Sequence, residues 1–213
     1  MSRLSFSSSP SSAFAYCFSD SSAHALTRIY ESDCQVAIWR NAFSELLLKQ
    51  IEASLNQGKS LDIELIASVD SFEPDLLKAL ARFCSAPEFA ESILRLIDMF
   101  GCLFDNKHIG IRIATLDAPM CPRFHVDKLL CRMICTLSGA GTQWLPYSAG
   151  YQLEHILPDA SNVAANDILS LNCGDVGLFK GSKWPDAEHL AVVHRSPIQT
   201  NNIKRFVLTL DLA

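Results

Sequence analysis

The closing stretch Arg205-Phe206-Val207-Leu208-Thr209-Leu210-Asp211-Leu212 alternates without a break. Successive strand residues point to opposite sides, so Phe206, Leu208, Leu210 and Leu212 share one face and Arg205, Val207, Thr209 and Asp211 the other. One face can pack on a core while the other looks into a polar interior. Working outward, Ile109, Ile111 and Ile113 alternate in the same way, and 129–137, 168–171, 176–179 and 190–194 are short runs rich in β-formers. Turn signals at Gly139-Ala140-Gly141, Pro146, Pro158, Gly174, Gly181 and Pro197 separate them. This is the spacing of a closed antiparallel barrel or jelly roll rather than of βαβ units. Gly139 and Gly141 read as turn residues with positive φ.

The front half carries a different period. Cys34–Trp39 is β-like, and Ser44 caps a helix over Glu45–Asn56 with Leu46, Leu47, Ile51 and Leu55 at helical spacing. Residues 61–69 read as a strand or a short helix. Pro74 opens a helix with Leu76, Leu77, Leu80 and Phe83 on one face, and 87–100 forms another with Phe89, Ile93, Leu96, Ile97 and Phe100 as its stripe. The expected class is α+β in a single domain over 23–213: a mainly helical part, 23–104, packed on a β-barrel, 105–213. Before it, residues 1–22 are dominated by Ser and small side chains, and a disordered tail is expected because so little apolar surface cannot offset the entropy of ordering.

The 213 residues are 49% hydrophobic and 19% charged, enough for one buried core. No run of apolar residues is long enough for a membrane span, and a net charge of −5 without a Lys/Arg cluster argues against nucleic acid. Eight cysteines without a basic, apolar secretory leader point to free thiols in a cytoplasmic setting.

Within Phe124-His125-Val126-Asp127, His125 and Asp127 leave the same face of a strand and can reach one cation. A third ligand gives that pair meaning. His194, in Val192-Val193-His194-Arg195-Ser196-Pro197, supplies it, with His189 as a competitor for the position. Two His and one carboxylate on one side of a metal leave positions open, as in non-haem Fe(II) sites. Arg205 follows, and a guanidinium inside a barrel wants a bidentate carboxylate, either a ligand's or that of Asp211 or Asp175. Thr209 on the same face could add a hydroxyl. Cys131 and Cys135, with the parity of His125 and with Cys121 nearby, allow a zinc site or a plain apolar role. Lys128 and Arg132 have the opposite parity and should point away from the metal. Trp144, Tyr147, Tyr151 and Trp184 lie in irregular stretches where rim loops could form a substrate pocket.

His-x-Asp, a distant His and then an Arg resembles the Fe(II)/2-oxoglutarate-dependent oxygenases on a double-stranded β-helix, over roughly 109–213. Gly174-Asp175-Val176-Gly177-Leu178-Phe179-Lys180-Gly181 looks like the turn and strand before the last His of cupin-type barrels. The whole chain also resembles the bacterial family of domain of unknown function 1826. That likeness lies in Phe124-His125-Val126-Asp127, Gly141-Thr142-Gln143-Trp144-Leu145-Pro146, Lys180-Gly181, Trp184-Pro185, His194-Arg195-Ser196-Pro197 and Arg205-Phe206-Val207-Leu208-Thr209-Leu210-Asp211. The oxygenase resemblance implies Fe(II) on His125, Asp127 and His194, with 2-oxoglutarate on Arg205 assisted by Thr209. It further implies hydroxylase-like action on a small-molecule or peptide substrate. The rival reading is a non-catalytic, cupin-like metal-binding protein, holding zinc and serving metal homeostasis.

Overall fold

Strand alternation and helical stripes meet at one sheet. In the computed structural model, which describes residues 16–70, 74–146, 163–186, 188–198 and 204–213, seven strands form a large sheet. These are β1 (Tyr16–Asp20), β2 (Cys34–Trp39), β3 (Asp62–Ser68), β4 (His108–Leu116), β5 (Cys131–Ser138), β8 (Val176–Lys180) and β10 (Arg205–Leu212), in the order β1-β2-β8-β5-β10-β4-β3. A small sheet holds β6 (Gln143–Trp144), β7 (Leu169–Ser170) and β9 (His194–Arg195) in the order β7-β6-β9, and His125 joins it by an antiparallel bridge to His194. From β4 onward the chain crosses between the sheets repeatedly. β4, β5, β8 and β10 lie in the large one; the His125 segment, β6, β7 and β9 lie in the small one. The expected sequence of short strands is thus realised as two sheets, with β5 beginning only at Cys131 and β9 reduced to two residues.

Each face of the large sheet buries its own apolar set. Ile109, Ile111, Ile113, Phe206, Leu208 and Leu210 belong to the same core as the stripes of α1 (Glu45–Asn56), α2 (Pro74–Phe83) and α3 (Pro87–Phe104), and Phe83 stacks on Phe206 at 4.6 Å. On the opposite face Val36, Ile38, Ile134, Phe179 and Val207 meet Trp144, Leu171 and Val192 of the small-sheet side. Burial of each such side chain contributes roughly 1.5–3 kcal/mol. The helices start as the sequence dictates: Ser44 accepts from the Leu47 N–H at 3.2 Å, and Pro87 sits at the first turn of α3.

Four expectations need correcting. Tyr16–Asp20, placed in the disordered tail, is a strand pairing in parallel with β2, because Tyr16 and Phe18 find partners in the helix-side core; residues 1–15 lie outside the described ones. The part 23–104 holds three α-helices but is not separate from the sheet, since its β-like runs, β2 and β3, extend the large sheet on either side. α3 runs past Gly101 to Phe104, and that glycine lets the helix approach Val69, whose side chain any Cβ there would meet. Gly139 has φ +80°, but Gly141 serves instead to admit the Leu171 backbone. All eight cysteines are free, and among the described residues no helix is long and apolar enough to cross a membrane.

One buried carboxylate ties the front half to the strand-rich back half. Asp175, fully buried beside Gly174 (φ +85°), accepts from Arg40 Nη1 at 2.7 Å and from the N–H groups of Asn41 and Asn172 at 3.0 Å each. Asp175→Ala strands the half-buried Arg40 and two amides, and should cost about 3 kcal/mol of stability in urea unfolding. A loss below about 1 kcal/mol would show that the tie is peripheral.

Candidate metal centre

His125 and His194 face each other because their strands pair: each donates its N–H to the other's carbonyl at 2.9 Å. Their rings are 4.4 Å apart between centroids. His125 Nδ1 lies 3.0 Å from the Arg123 carbonyl and His194 Nδ1 3.0 Å from the Val192 carbonyl. A carbonyl can only accept, so in each neutral ring Nδ1 carries the proton and Nε2 presents its lone pair. Backbone pinning of this kind orients metal-bound histidines.

Asp127 completes the set, with Oδ1 3.8 Å from His125 Nε2 and Oδ2 3.4 Å from His194 Nε2. One ligand atom from each residue lies within 4.8 Å of the other two. Lone pairs aimed at a carboxylate repel it unless a proton or a cation lies between. Oδ2 is buried and, among the described residues, has no hydrogen bond; Arg132 Nη1 is 2.9 Å away but not aligned to donate. A divalent ion satisfies all three groups at once, so the donor set fits a metal. Burial, followed by the neighbouring His194, holds the His125 imidazole below its ordinary pKa, which keeps it neutral and ready to ligate. Burial alone would push the Asp127 carboxyl up; His194, Arg132 and His125 outweigh it and hold that group below its usual value.

Arg205 lines the same cavity as His125 and His194, together with Thr142, Ser196 and Thr209. It is 2% exposed. Nε donates to the Ala140 carbonyl at 2.8 Å, Nη1 to Ser196 Oγ at 3.3 Å, and Nη2 to the hydroxyls of Thr142 at 2.8 Å and Thr136 at 3.2 Å. Every partner among the described residues is neutral. Burial lowers its pKa to about 10, still a cation at neutral pH. The two carboxylates suggested as its structural partners are engaged elsewhere, Asp175 with Arg40 and Asp211 with Arg132. Thr209 lines the cavity but is not hydrogen-bonded to Arg205.

Other expectations fare differently. Arg132, expected to point away from the metal, points toward it: it contacts Asp127 and forms a bidentate pair with Asp211 at 2.7 and 2.6 Å. The parity argument failed because the chain between Asp127 and β5 is not a strand, so alternation restarts at Cys131. Cys131 and Cys135 consequently belong to the helix-side core, with the metal cluster on the other side of β5, which removes their zinc reading. His189 lies in a 3-10 turn beside Lys183, Trp184 and Asp186, and it is His194 that joins His125 and Asp127 in the candidate cluster. Trp144 is buried between the sheets and Trp184 packs on Tyr30 and Phe104, so neither forms a rim; Tyr147 and Tyr151 lie outside the described residues. Thr136, Thr142 and Ser196 escaped the sequence reading, since hydroxyl residues become recognisable only once Arg205 is known to lie among them.

Comparisons with known proteins give a family and a likeness of fold. The chain belongs to the family described as protein of unknown function (DUF1826), which matches residues 20–211. No curated protein matches it. Among solved structures it is similar to a dioxygenase for auxin oxidation from Arabidopsis thaliana in complex with 2-oxoglutarate, at 8% identity, TM-score 0.51, and 92% and 91% coverage of the two chains. It is also similar to a candidate oxygenase from Shewanella oneidensis, at 12% identity, TM-score 0.52, and 93% and 89% coverage. At these identities the likeness is one of fold, and structural neighbours of this kind are 2-oxoglutarate-dependent oxygenases with a cupin-like fold.

Asp127→Ala removes the anionic ligand and should lower retained divalent metal at least tenfold in metal analysis of anaerobically purified protein. His194→Ala should do the same, while His189→Ala should leave metal content at the wild-type level. Equal retention in the Asp127 and His189 variants would exclude the triad as the binding site.

Proposed function

We propose that this DUF1826 protein is an Fe(II)- and 2-oxoglutarate-dependent oxygenase on a double-stranded β-helix, its N-terminal helices packed against the barrel. His125, Asp127 and His194 would hold the metal on one side, leaving the remaining positions for the co-substrate and dioxygen. The single observation that carries the reading is Arg205: a buried guanidinium whose partners among the described residues are all neutral, lining the same cavity as both imidazoles. A buried cation without a counter-anion is costly, and a ligand carboxylate relieves it. The distal carboxylate of 2-oxoglutarate is of that chemistry, and its other end suits a metal with open positions.

Ferrous iron would supply oxygen activation, with 2-oxoglutarate converted to succinate and carbon dioxide as one oxygen atom enters the substrate. The chain's part is to position and shield. Arg205 anchors the co-substrate, Thr136, Thr142 and Ser196 hold the guanidinium plane, and the Arg123 and Val192 carbonyls fix the imidazoles. Arg132 braces the anionic ligand against Asp211. The cluster among the described residues offers three ligands, which suits a catalytic metal with open positions rather than the closed four-ligand site of structural zinc. Free thiols suit a reducing cytoplasm.

Anaerobic loading with Fe(II), followed by 2-oxoglutarate and air, should release succinate. Arg205→Met should raise the KM for 2-oxoglutarate roughly 10- to 100-fold, the equivalent of about 1.5–3 kcal/mol for a hydrogen bond to a charged group, with metal content unchanged. Tightly held zinc and no succinate from wild-type protein would favour the metal-binding alternative.

A further inference from the structure

The metal cavity is narrow, about 50 Å³, but it shares Met120, Arg132 and Thr209 with an adjoining groove of about 430 Å³. That volume is in the range of small-molecule sites. Strand register builds its floor in two rows across the large sheet. One runs Glu64, Arg112, Thr209, Ile134, and the next Ile66, Gly110, Asp211, Arg132. Ile134 belongs to the core between the sheets, so both rows lie on the metal side.

Two cations and two carboxylates line the groove, and only Arg132 and Asp211 are in contact with each other. Arg132 is matched by Asp211 and Asp127. Arg112 forms no ion pair with any described residue, and its Nε is buried without a hydrogen bond. Glu64 stands opposite Arg112 in the register yet is exposed and makes no ion pair with it. Ile66 and Met120, two of the large apolar side chains left exposed, flank the same space at 64% and 38% exposure. Gly110 opens it: an added Cβ there would meet nothing nearer than Asp211 at 3.6 Å, so the missing side chain is not required by crowding. A glycine inside a strand weakens it and often marks where a ligand approaches the backbone.

We propose that this groove binds the substrate, gripping an oxyanion at Arg112 while an apolar body lies over Gly110 between Ile66 and Met120. The substrate class is an amphipathic organic anion, a carboxylate or a phosphate ester. The inference rests on the oxygenase reading for the statement that the occupant is the substrate; that the groove binds such an anion stands on Arg112 and Gly110. A guanidinium donates two parallel hydrogen bonds to either oxyanion, and an aliphatic stem contributes through its buried area.

The test titrates the full-length, metal-loaded protein under nitrogen, with saturating 2-oxoglutarate to occupy Arg205, by ligand-observed NMR. The probes are hexanoate, hexyl phosphate and neutral hexanol. At least one anion should bind ten or more times more tightly than hexanol, and the tighter of the two identifies the headgroup. Arg112→Met should lose at least tenfold of that affinity, Arg112→Lys should recover part of it, and Glu64→Gln should strengthen it a few-fold. Gly110→Val, which keeps every charge and suits a strand, should abolish binding of all three probes. Thermal melting verifies that each variant is folded. Anion affinity unchanged in Arg112→Met, or no greater than that for hexanol, would overturn the proposal, as would normal binding in Gly110→Val. Arg112-dependent binding in a wild-type protein that releases no succinate would uphold the groove and count against the oxygenase reading alone. Succinate release without Arg112-dependent binding would do the reverse.

Discussion

The backbone bridge between His125 and His194 is the constraint on which the site rests. Two residues far apart in sequence become a hydrogen-bonded antiparallel pair, bonded in both directions at 2.9 Å, so their side chains leave one face as neighbours. Each Nδ1 is then held by a carbonyl of its own chain, and Asp127, two residues past His125, comes round to meet both Nε2 atoms. The result is three electron-rich groups converging on a point from rigid backbone. Such convergence costs energy without a cation, and the structure places beside it Arg132, which reduces the carboxylate's excess charge without hydrogen-bonding its buried Oδ2.

The large sheet supports this by keeping its two faces chemically apart. Its helix side is apolar from Ile109 to Leu210 and includes the thiols Cys131 and Cys135, whose pKa values burial drives upward, leaving them inert neutral hydrophobes. The opposite face starts with Val36, Ile38 and Phe179 and turns polar at Thr209, Asp211, Arg132 and Arg112. β10 spans both regimes, which is why one strand can serve a hydrophobic core through Phe206 and Leu208 and an anion pocket through Arg205.

Much of this was legible in the chain. α1 has the bounds its stripe and Ser44 imply, and the alternation of 205–212 correctly separated the two faces of β10. His125, Asp127 and His194 were legible as a candidate triad because metal binding restricts residue types severely and the first two stand two residues apart. What failed depended on where a strand begins. Parity carried from His125 to Arg132 assumed a continuous strand, and the irregular turn before Cys131 inverted the outcome for Arg132, Cys131 and Cys135 together. Tyr16–Asp20 was hidden by its Ser-rich surroundings, since an edge strand needs only a few apolar contacts and a neighbour, and the neighbour, β2, is remote from any local signal. Arg112 and Gly110 gave no sign at all. Their meaning lies in register with β3 and β10, which no local pattern encodes.

The same register explains why a groove exists beside the metal. β4 and β10 are 9 and 8 residues long, whereas β6, β7 and β9 are 2 residues each, so the small sheet cannot cover the full length of the strands it faces. Where it does cover them, Trp144, Leu171 and Val192 fill the space between the sheets and exclude water. Beyond that plug no strand among the described residues faces the large sheet, and side chains there need not be apolar. That permits Glu64, Arg112 and Thr209 in one row, a glycine in the next, and a guanidinium that forms no ion pair with any described residue. An uncovered end that served only as surface would favour charges that cancel, as Arg132 and Asp211 do in the neighbouring row. Arg112, in the groove that adjoins the metal cavity, departs from that rule, and the departure is intelligible if its counter-charge arrives with the substrate.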